Sequence, residues 1–401
     1  MRALIRFAPL LLAVSVAARV GWTYTTRNGA NFVDLHVYYG GGAVLGTGGL
    51  LYDYAYLGPT AVPLPFTYPP FAAVVFYPLH FLPFQVVAML WLAAIVAGLY
   101  AVIRIAQRLM GDADRRIAMA WTAAAIWLDP VRATLDYGQV SVFLCAATMA
   151  AVLSTRWWVS GLLVGAAAGV KLTPAVSGLY FLGARRYGAA VFAGCVFVST
   201  CVVAMLVFGD EVTHYFRELI FEPGRMGGVG RPFNQSLRGV VGVLAGRDDG
   251  LGAVLVAVLV ATAILAVLAW RTAYHGRADE PDRLGGILVI QLFGLLASPI
   301  SWTHHWVWVV PLMVWLVHGR LRDRRGATTL AAMWFVVTLA CSPWILRLVD
   351  EYGNRGIIFR LPALLYVGCA VVTLGWVAVS PRLSRRPSRT PSRWSHRATP
   401  A

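Results

Sequence analysis

The chain has 401 residues, of which 59% are hydrophobic and only 13% charged, and it carries a formal net charge of +16. Soluble domains carry about 25% charged residues, so the composition excludes a soluble enzyme and predicts an all-α polytopic membrane protein. The positive charge sits on arginines in short loops and a tail, the pattern of cytoplasmic segments facing anionic lipid, so membrane lipids and not nucleic acid are the expected partners.

Taken in chain order, the first apolar run, Leu4 to Tyr24, is too long for a signal-peptide core and lacks a clear small-residue cleavage site. It predicts a retained span. Further runs at 86–104, 117–128, 140–154, 157–170, 173–184, 187–208, 251–271, 285–300, 302–318, 328–346 and 359–379 bring the expected total to about twelve helices, with both termini cytoplasmic. These make one catalytic domain over 1–380. The tail "PRLSRRPSRTPSRWSHRATPA", 381–401, reads as a disordered basic cytoplasmic segment. The four runs between 117 and 184 fall short of the roughly 20 residues that a span needs. Short helices are tolerable where they face protein or a water-filled cleft, so they predict a cavity at membrane depth.

Residues 69–82, "PPFAAVVFYPLHFL", allow a second reading in which they span the membrane and 157–184 is one long helix. That arrangement moves arginines to the outer face. The positive-inside pattern favours an interfacial or re-entrant piece instead. Cys145, Cys195, Cys201, Cys341 and Cys369 all lie in apolar runs without paired spacing, and read as small buried hydrophobes rather than disulfides or metal ligands.

The outer face then carries three substantial segments, 25–84, 129–139 and 210–250. In a membrane protein an ionisable residue beside a span is a functional candidate by default. "NFVDLHVYYGGG" places Asp34 about ten residues beyond the first span, at or near the start of a juxtamembrane helix over 34–45. Asp34 has two readings, an ordinary helix N-cap or a general base. Lys171, in "GVKLTP", is the only lysine in the chain. It is either a snorkelling helix-end residue or a cation that binds a lipid-linked phosphate. "SPISWTHHWVWVVP" sets His304 and His305 among Trp302, Trp306 and Trp308. Adjacent histidines point in different directions on a helix, and the i, i+4 spacing of a zinc pair is absent, so no metal is expected. One of the two is expected to hydrogen-bond substrate or move a proton. "LDYGQ" offers Asp136 and Gln139, and "FNQSLRG" offers Asn234, Gln235, Ser236 and Arg238. Amides and carboxylates beside aromatics suit sugar hydroxyls, and an arginine suits phosphate, although either group could equally be loop structure.

No glycine-rich phosphate loop and no paired acids for a nucleotide-bound metal are present. A sugar carried on a lipid monophosphate fits better, with one carboxylate deprotonating the acceptor while phosphate departs from the opposite side of the anomeric carbon. In this order, "VDLHVYY", "FTYPPF", "GQVS", "GVKLTP", "NQSLRG" and "SPISWTHHWVW" resemble the GT-C type polyprenol-phosphate-mannose-dependent α-mannosyltransferases of actinobacteria. The residues themselves put forward Lys171 and Arg238 for donor phosphate, and His36, Tyr38, Tyr68, Asp136, Gln139, Asn234, Gln235 and Trp302 as candidate substrate contacts. The resemblance implies a GT-C fold and Asp34 as catalytic base, with His304 or His305 in support. It further implies α-1,2 mannosyl transfer, with inversion, from a polyprenyl phosphate mannose donor to a phosphatidylinositol mannoside acceptor, on the periplasmic face of the plasma membrane and without a cofactor. "GQVS" departs from the more usual "GQVN" at Ser141. Related enzymes that branch lipomannan share much of the pattern, and a flippase for lipid-linked sugar is the rival class. A secondary transporter would show paired half-repeats, which the sequence lacks.

Overall fold

Apolar runs close their backbone hydrogen bonds within the segment, which is the condition for crossing lipid. The computed structural model describes residues 5–25, 30–58, 62–247, 251–275 and 281–380. The expected basic tail lies outside the described residues. Among these, Phe84–Leu109, Tyr187–Phe208, Gly252–His275 and Ile357–Ala378 are long and apolar enough to cross a membrane. Two bent pairs, Asp129–Tyr137 with Ser141–Leu153 and Ala327–Leu339 with Trp344–Arg355, raise the number from 4 to 6 if each is one broken span. The other runs of the expected twelve form shorter helices, such as Trp157–Val170 and Arg283–Ala297. Val191, Val198 and Leu206 on one long helix and Val256, Val260 and Ile264 on another are exposed, the outward apolar face that lipid requires.

The first half of the chain builds α1 (Ala8–Thr25), α2 (Val33–Thr47), α3 (Pro70–Phe76), α4 (Phe84–Leu109), α5 (Arg115–Ala125), α6 (Asp129–Tyr137), α7 (Ser141–Leu153) and α8 (Trp157–Val170). Helix α1 packs on α5, α4 on α7, and α8 on Tyr187–Phe208. Three glycines in α2 explain its close fit. A Cβ on Gly41 would lie 2.3 Å from the Phe66 ring, and one on Gly42 would lie 2.8 Å from the Phe76 backbone. Helix α3 continues into a 3₁₀ turn over Tyr77–Phe81, and the whole of 70–81 is of sub-span length. The all-α expectation misses one feature: β1 (Ala55–Leu57) pairs antiparallel with β2 (Pro63–Pro65) and lies beside α2. Strands of three residues are too short to show an alternating pattern.

Helix α8 decides where the lone lysine stands. Gly161, Gly165 and Gly169 recur every fourth residue, and a Cβ at any of them would meet Ala193, Val196 or Thr200 of the neighbouring helix at 2.9 Å or less. Small residues at this spacing let two backbones approach closely in lipid. The helix then stops: Lys171 is extended (φ −151°, ψ 130°), and Pro174 starts a 3₁₀ turn over Thr173–Val176. Proline cannot carry an α-helix forward here, so 157–184 is not one long helix. Among the described residues Cys145, Cys195, Cys201 and Cys369 are free; Cys145 and Cys369 are buried, whereas Cys195 is exposed on a lipid-length helix, against expectation. The side chain of Cys341 lies outside the described residues.

Candidate active site

The geometry starts at Phe32, which takes a left-handed conformation (φ 50°, ψ 30°) and is the N-cap of α2, with no side-chain capping bond. Asp34 therefore stands inside the first turn and is not the cap. A carboxylate there is favoured by the helix dipole. Across from it, α6 ends on Gly138, itself left-handed (φ 69°). A Cβ on Gly138 would lie 2.6 Å from that of Leu35. Only glycine permits both the turn and the approach. The turn brings Gln139 against Asp34, whose carboxylate accepts a hydrogen bond from the amide.

Gln139 is the hub of a buried polar network. Its Oε1 accepts from the Tyr38 hydroxyl at 2.9 Å and from Lys171 Nζ at 3.4 Å, and its Nε2 donates to the Tyr68 hydroxyl at 3.3 Å. The two tyrosine hydroxyls are 2.9 Å apart. Lys171 Nζ lies 5.3 Å from the centroid of the Tyr68 ring, a cation over an aromatic face. The same ammonium is 3.0 Å from His305 Nε2. A lysine can only donate, so this imidazole is neutral with its proton on Nδ1. The site thus joins α2, the α6–α7 turn, the end of α8 and the 3₁₀ turn Thr303–Trp308, which packs on α6.

Burial sets the electrostatics. It pushes the Asp34 carboxyl up to about 6, against the opposing pull of the Gln139 hydrogen bond and the Lys171 charge. It brings Lys171 down to about 8, with Asp34 acting in the other direction. Asp34 is therefore close to exchanging its proton near neutrality, as a general base must be, while Lys171 still carries its charge below about 8. Lys171 and His305 also form one wall of a cavity of about 330 Å³ whose other walls include Leu172, Phe293, Trp308 and the polar Gln291. Among the described residues no group of three or more histidine, cysteine, aspartate or glutamate side chains could hold a metal ion.

The structure brings Asp34, Tyr38, Tyr68, Gln139, Lys171 and His305 together. It places the other candidates differently. His36 is stacked between Tyr56 and Phe84, with ring centroids 4.4 and 3.6 Å away. His304 sets its ring edge-on to Tyr137 at 5.9 Å, and its buried Nε2 has no hydrogen-bond partner among the described residues. Asp136 is ion-paired with Arg19 of α1. Asn234 and Gln235, expected as sugar contacts, are fully buried with their amides engaged by backbone. Asn234 Nδ2 donates to Val229 and Pro299, and its Oδ1 accepts from Ser301 N. Gln235 Nε2 donates to Pro232 and Ala363, and its Oε1 accepts from Tyr366 N. These amides sew loops together because unpaired backbone groups cost too much in the interior. Ser236 caps the helix Leu237–Ala245. Arg238, on that helix, is half-buried. Trp302 bridges to the Asn234 backbone and covers Gly227. Two groups escaped the sequence reading: Arg19, inside the first apolar run, and Gln291, a buried amide that lines the cavity and donates to Ser177 Oγ at 2.8 Å. A polar residue in the middle of an apolar run is the signal for both.

Helices of membrane length together with a protein-lined set of acid, amide, phenols and amine define a class, a multi-pass membrane enzyme. The model of glycosyltransferase family 87 matches residues 66–299, and the chain belongs to that family. It is 54% identical over 381 residues (94% of this chain, 92% of the relative) to a polyprenol-phosphate-mannose-dependent alpha-(1-2)-phosphatidylinositol pentamannoside mannosyltransferase of Mycolicibacterium smegmatis. The protein of the same description in Mycobacterium tuberculosis is 51% identical over 392 residues (96% and 90%). A polyprenol-phosphate-mannose-dependent alpha-(1-2)-phosphatidylinositol mannoside mannosyltransferase of Mycobacterium tuberculosis is 30% identical over 381 residues (90% and 84%). No solved structure matches the chain.

Proposed function

We propose that this chain transfers mannose from polyprenyl phosphate mannose to a phosphatidylinositol mannoside, forming an α-1,2 linkage, on a GT-C framework of about twelve spans whose site opens to the periplasmic face of the plasma membrane. The acceptor is a tetramannoside and the product a pentamannoside. The observation that carries the reading is the Asp34–Gln139–Lys171–His305 set, together with relatives named for this reaction. In the reaction, Asp34 takes the proton of the acceptor hydroxyl as its oxygen forms the new bond to the anomeric carbon. The bond from that carbon to the phosphate oxygen breaks, and polyprenyl phosphate leaves on the opposite face. A β-mannosyl donor gives an α-linked product. Lys171 meets the negative charge on the departing phosphate, and no metal or cofactor takes part.

Purified protein given both lipids is expected to yield a glycolipid one mannose larger, cleavable by a mannosidase specific for α-1,2 linkages. Free polyprenyl phosphate without an elongated glycolipid, or sugar lipid merely moved across a vesicle, would favour another class.

The pH dependence is set by the two titrating groups. The base must be unprotonated, so kcat/KM rises through pH about 6 as Asp34 ionises. The amine must be charged, so kcat/KM falls again above pH about 8 as Lys171 loses its proton. A bell-shaped profile between these limbs is the expected measurement; a flat profile from pH 5 to 9 would remove both assignments.

A further inference from the structure

Arg19 is 3% exposed within the otherwise apolar α1, and its charge is met by Asp136 at the end of α6. Among the described residues its Nε and Nη1 atoms have no hydrogen-bond partner. Burying such a pair rarely adds stability over apolar residues of the same volume, so its use must be sought in what Asp136 touches. The Asp136 carbonyl accepts the Phe32 N–H at 2.8 Å. Phe32 holds the left-handed turn that starts α2, a conformation costing roughly 1–2 kcal/mol for a residue with a side chain. Asp34 comes two residues later. On the other side of Asp136, Gly138 abuts Leu35, and Gln139 bonds Asp34, Tyr38 and Lys171. The segment 136–139 therefore grips the first turn of α2 at both Phe32 and Asp34, and the ion pair fastens that segment to α1.

We propose that the Arg19–Asp136 ion pair is a positioning device, which fixes Asp34 over the acceptor hydroxyl by holding the α6–α7 turn against the start of α2. Asp136 then acts through the backbone and not as a sugar contact. This inference rests on the reading of Asp34 as the base.

The test compares kcat, donor KM and melting temperature in purified full-length variants. Misplacing a reacting group by about 1 Å can cost about 10²-fold. Arg19→Met is expected to lower kcat by about that factor, with donor KM within about threefold of wild type, because Lys171 keeps its bond to His305. Arg19→Lys, which retains a charge for Asp136, is expected to recover several-fold of the loss. Arg19→Met leaves the part-buried Asp136 carboxylate without its ion-pair partner, so the double variant Arg19→Met/Asp136→Leu is the decisive one. It is expected to melt near the wild-type temperature and yet keep the low kcat. Ser15→Ala is the control. Ser15 accepts from Trp127 Nε1 at 2.6 Å and donates to the Ala123 carbonyl at 2.7 Å, so its loss loosens α1 away from the site. Wild-type kcat in Arg19→Met or in the double variant would overturn the proposal, as would an equal loss in Ser15→Ala. Asp34→Asn measured beside them separates the two readings. Full turnover there removes the base assignment, whereas a silent Arg19→Met with a dead Asp34→Asn removes only the positioning role.

Discussion

Asp34→Asn is expected to lower turnover by about 10²- to 10⁴-fold, roughly 3–5 kcal/mol of transition-state stabilisation, while the protein folds and binds donor as before. The amide has the shape of the carboxylate and leaves the hydrogen-bonding environment of Gln139 almost unchanged, but it cannot take a proton. Burial at this position already disfavours the charged form, so removing the charge does not destabilise the fold. The loss should appear in kcat and not in the donor KM, since a base acts only as the acceptor oxygen attacks. Single-turnover assays with separate donor-binding measurements check both parts. Turnover within threefold of wild type, or loss of donor binding in step with turnover, would count against a proton-accepting role.

Lys171→Ala is expected to lower kcat/KM for the donor by about 10- to 150-fold, from the 1.5–3 kcal/mol that a hydrogen bond to a charged group is worth. Donor KM rises because the phosphate loses its cation in the bound state. Turnover also falls, because charge builds on the phosphate oxygen as the sugar leaves and the lysine stabilises it there. A second consequence has a definite sign. The Lys171 charge holds the Asp34 carboxyl down against burial, so without it the acid limb of the pH profile should move to higher pH. An unchanged limb, or an unchanged dependence on donor concentration, would place the lysine outside the site.

Much of this site was legible because ionisable groups are expensive at membrane depth. Asp34 and Lys171 stood out as an acid and a sole amine in a chain with few charges, and the structure joins them through Gln139. The same argument could not separate side chains that face substrate from those that satisfy backbone. Asn234 and Gln235 drew attention for their amides, yet those amides bind carbonyls and N–H groups of neighbouring loops. Arg19 was hidden for a related reason. A single arginine does not interrupt a hydropathy run, and its partner lies 117 residues away. Helix breaks were partly readable: Pro174 marks the stop after Lys171, but the sharp bend between α6 and α7 depends on the left-handed Gly138, which hydropathy does not register.

The stitches around Gln235 bear on motion. Its backbone N–H donates to Ser301, its side-chain amide reaches Pro232 and Ala363, and its oxygen accepts from Tyr366. A surface loop ordinarily opens at small free energy while the rest of the protein stays closed. Here any such excursion forfeits bonds to two separate stretches of chain at once, at Ser301 and at 363–366. Amide exchange around residue 235 is therefore expected to follow opening of the core, and the same bonds would also hold the histidine turn beside it in place.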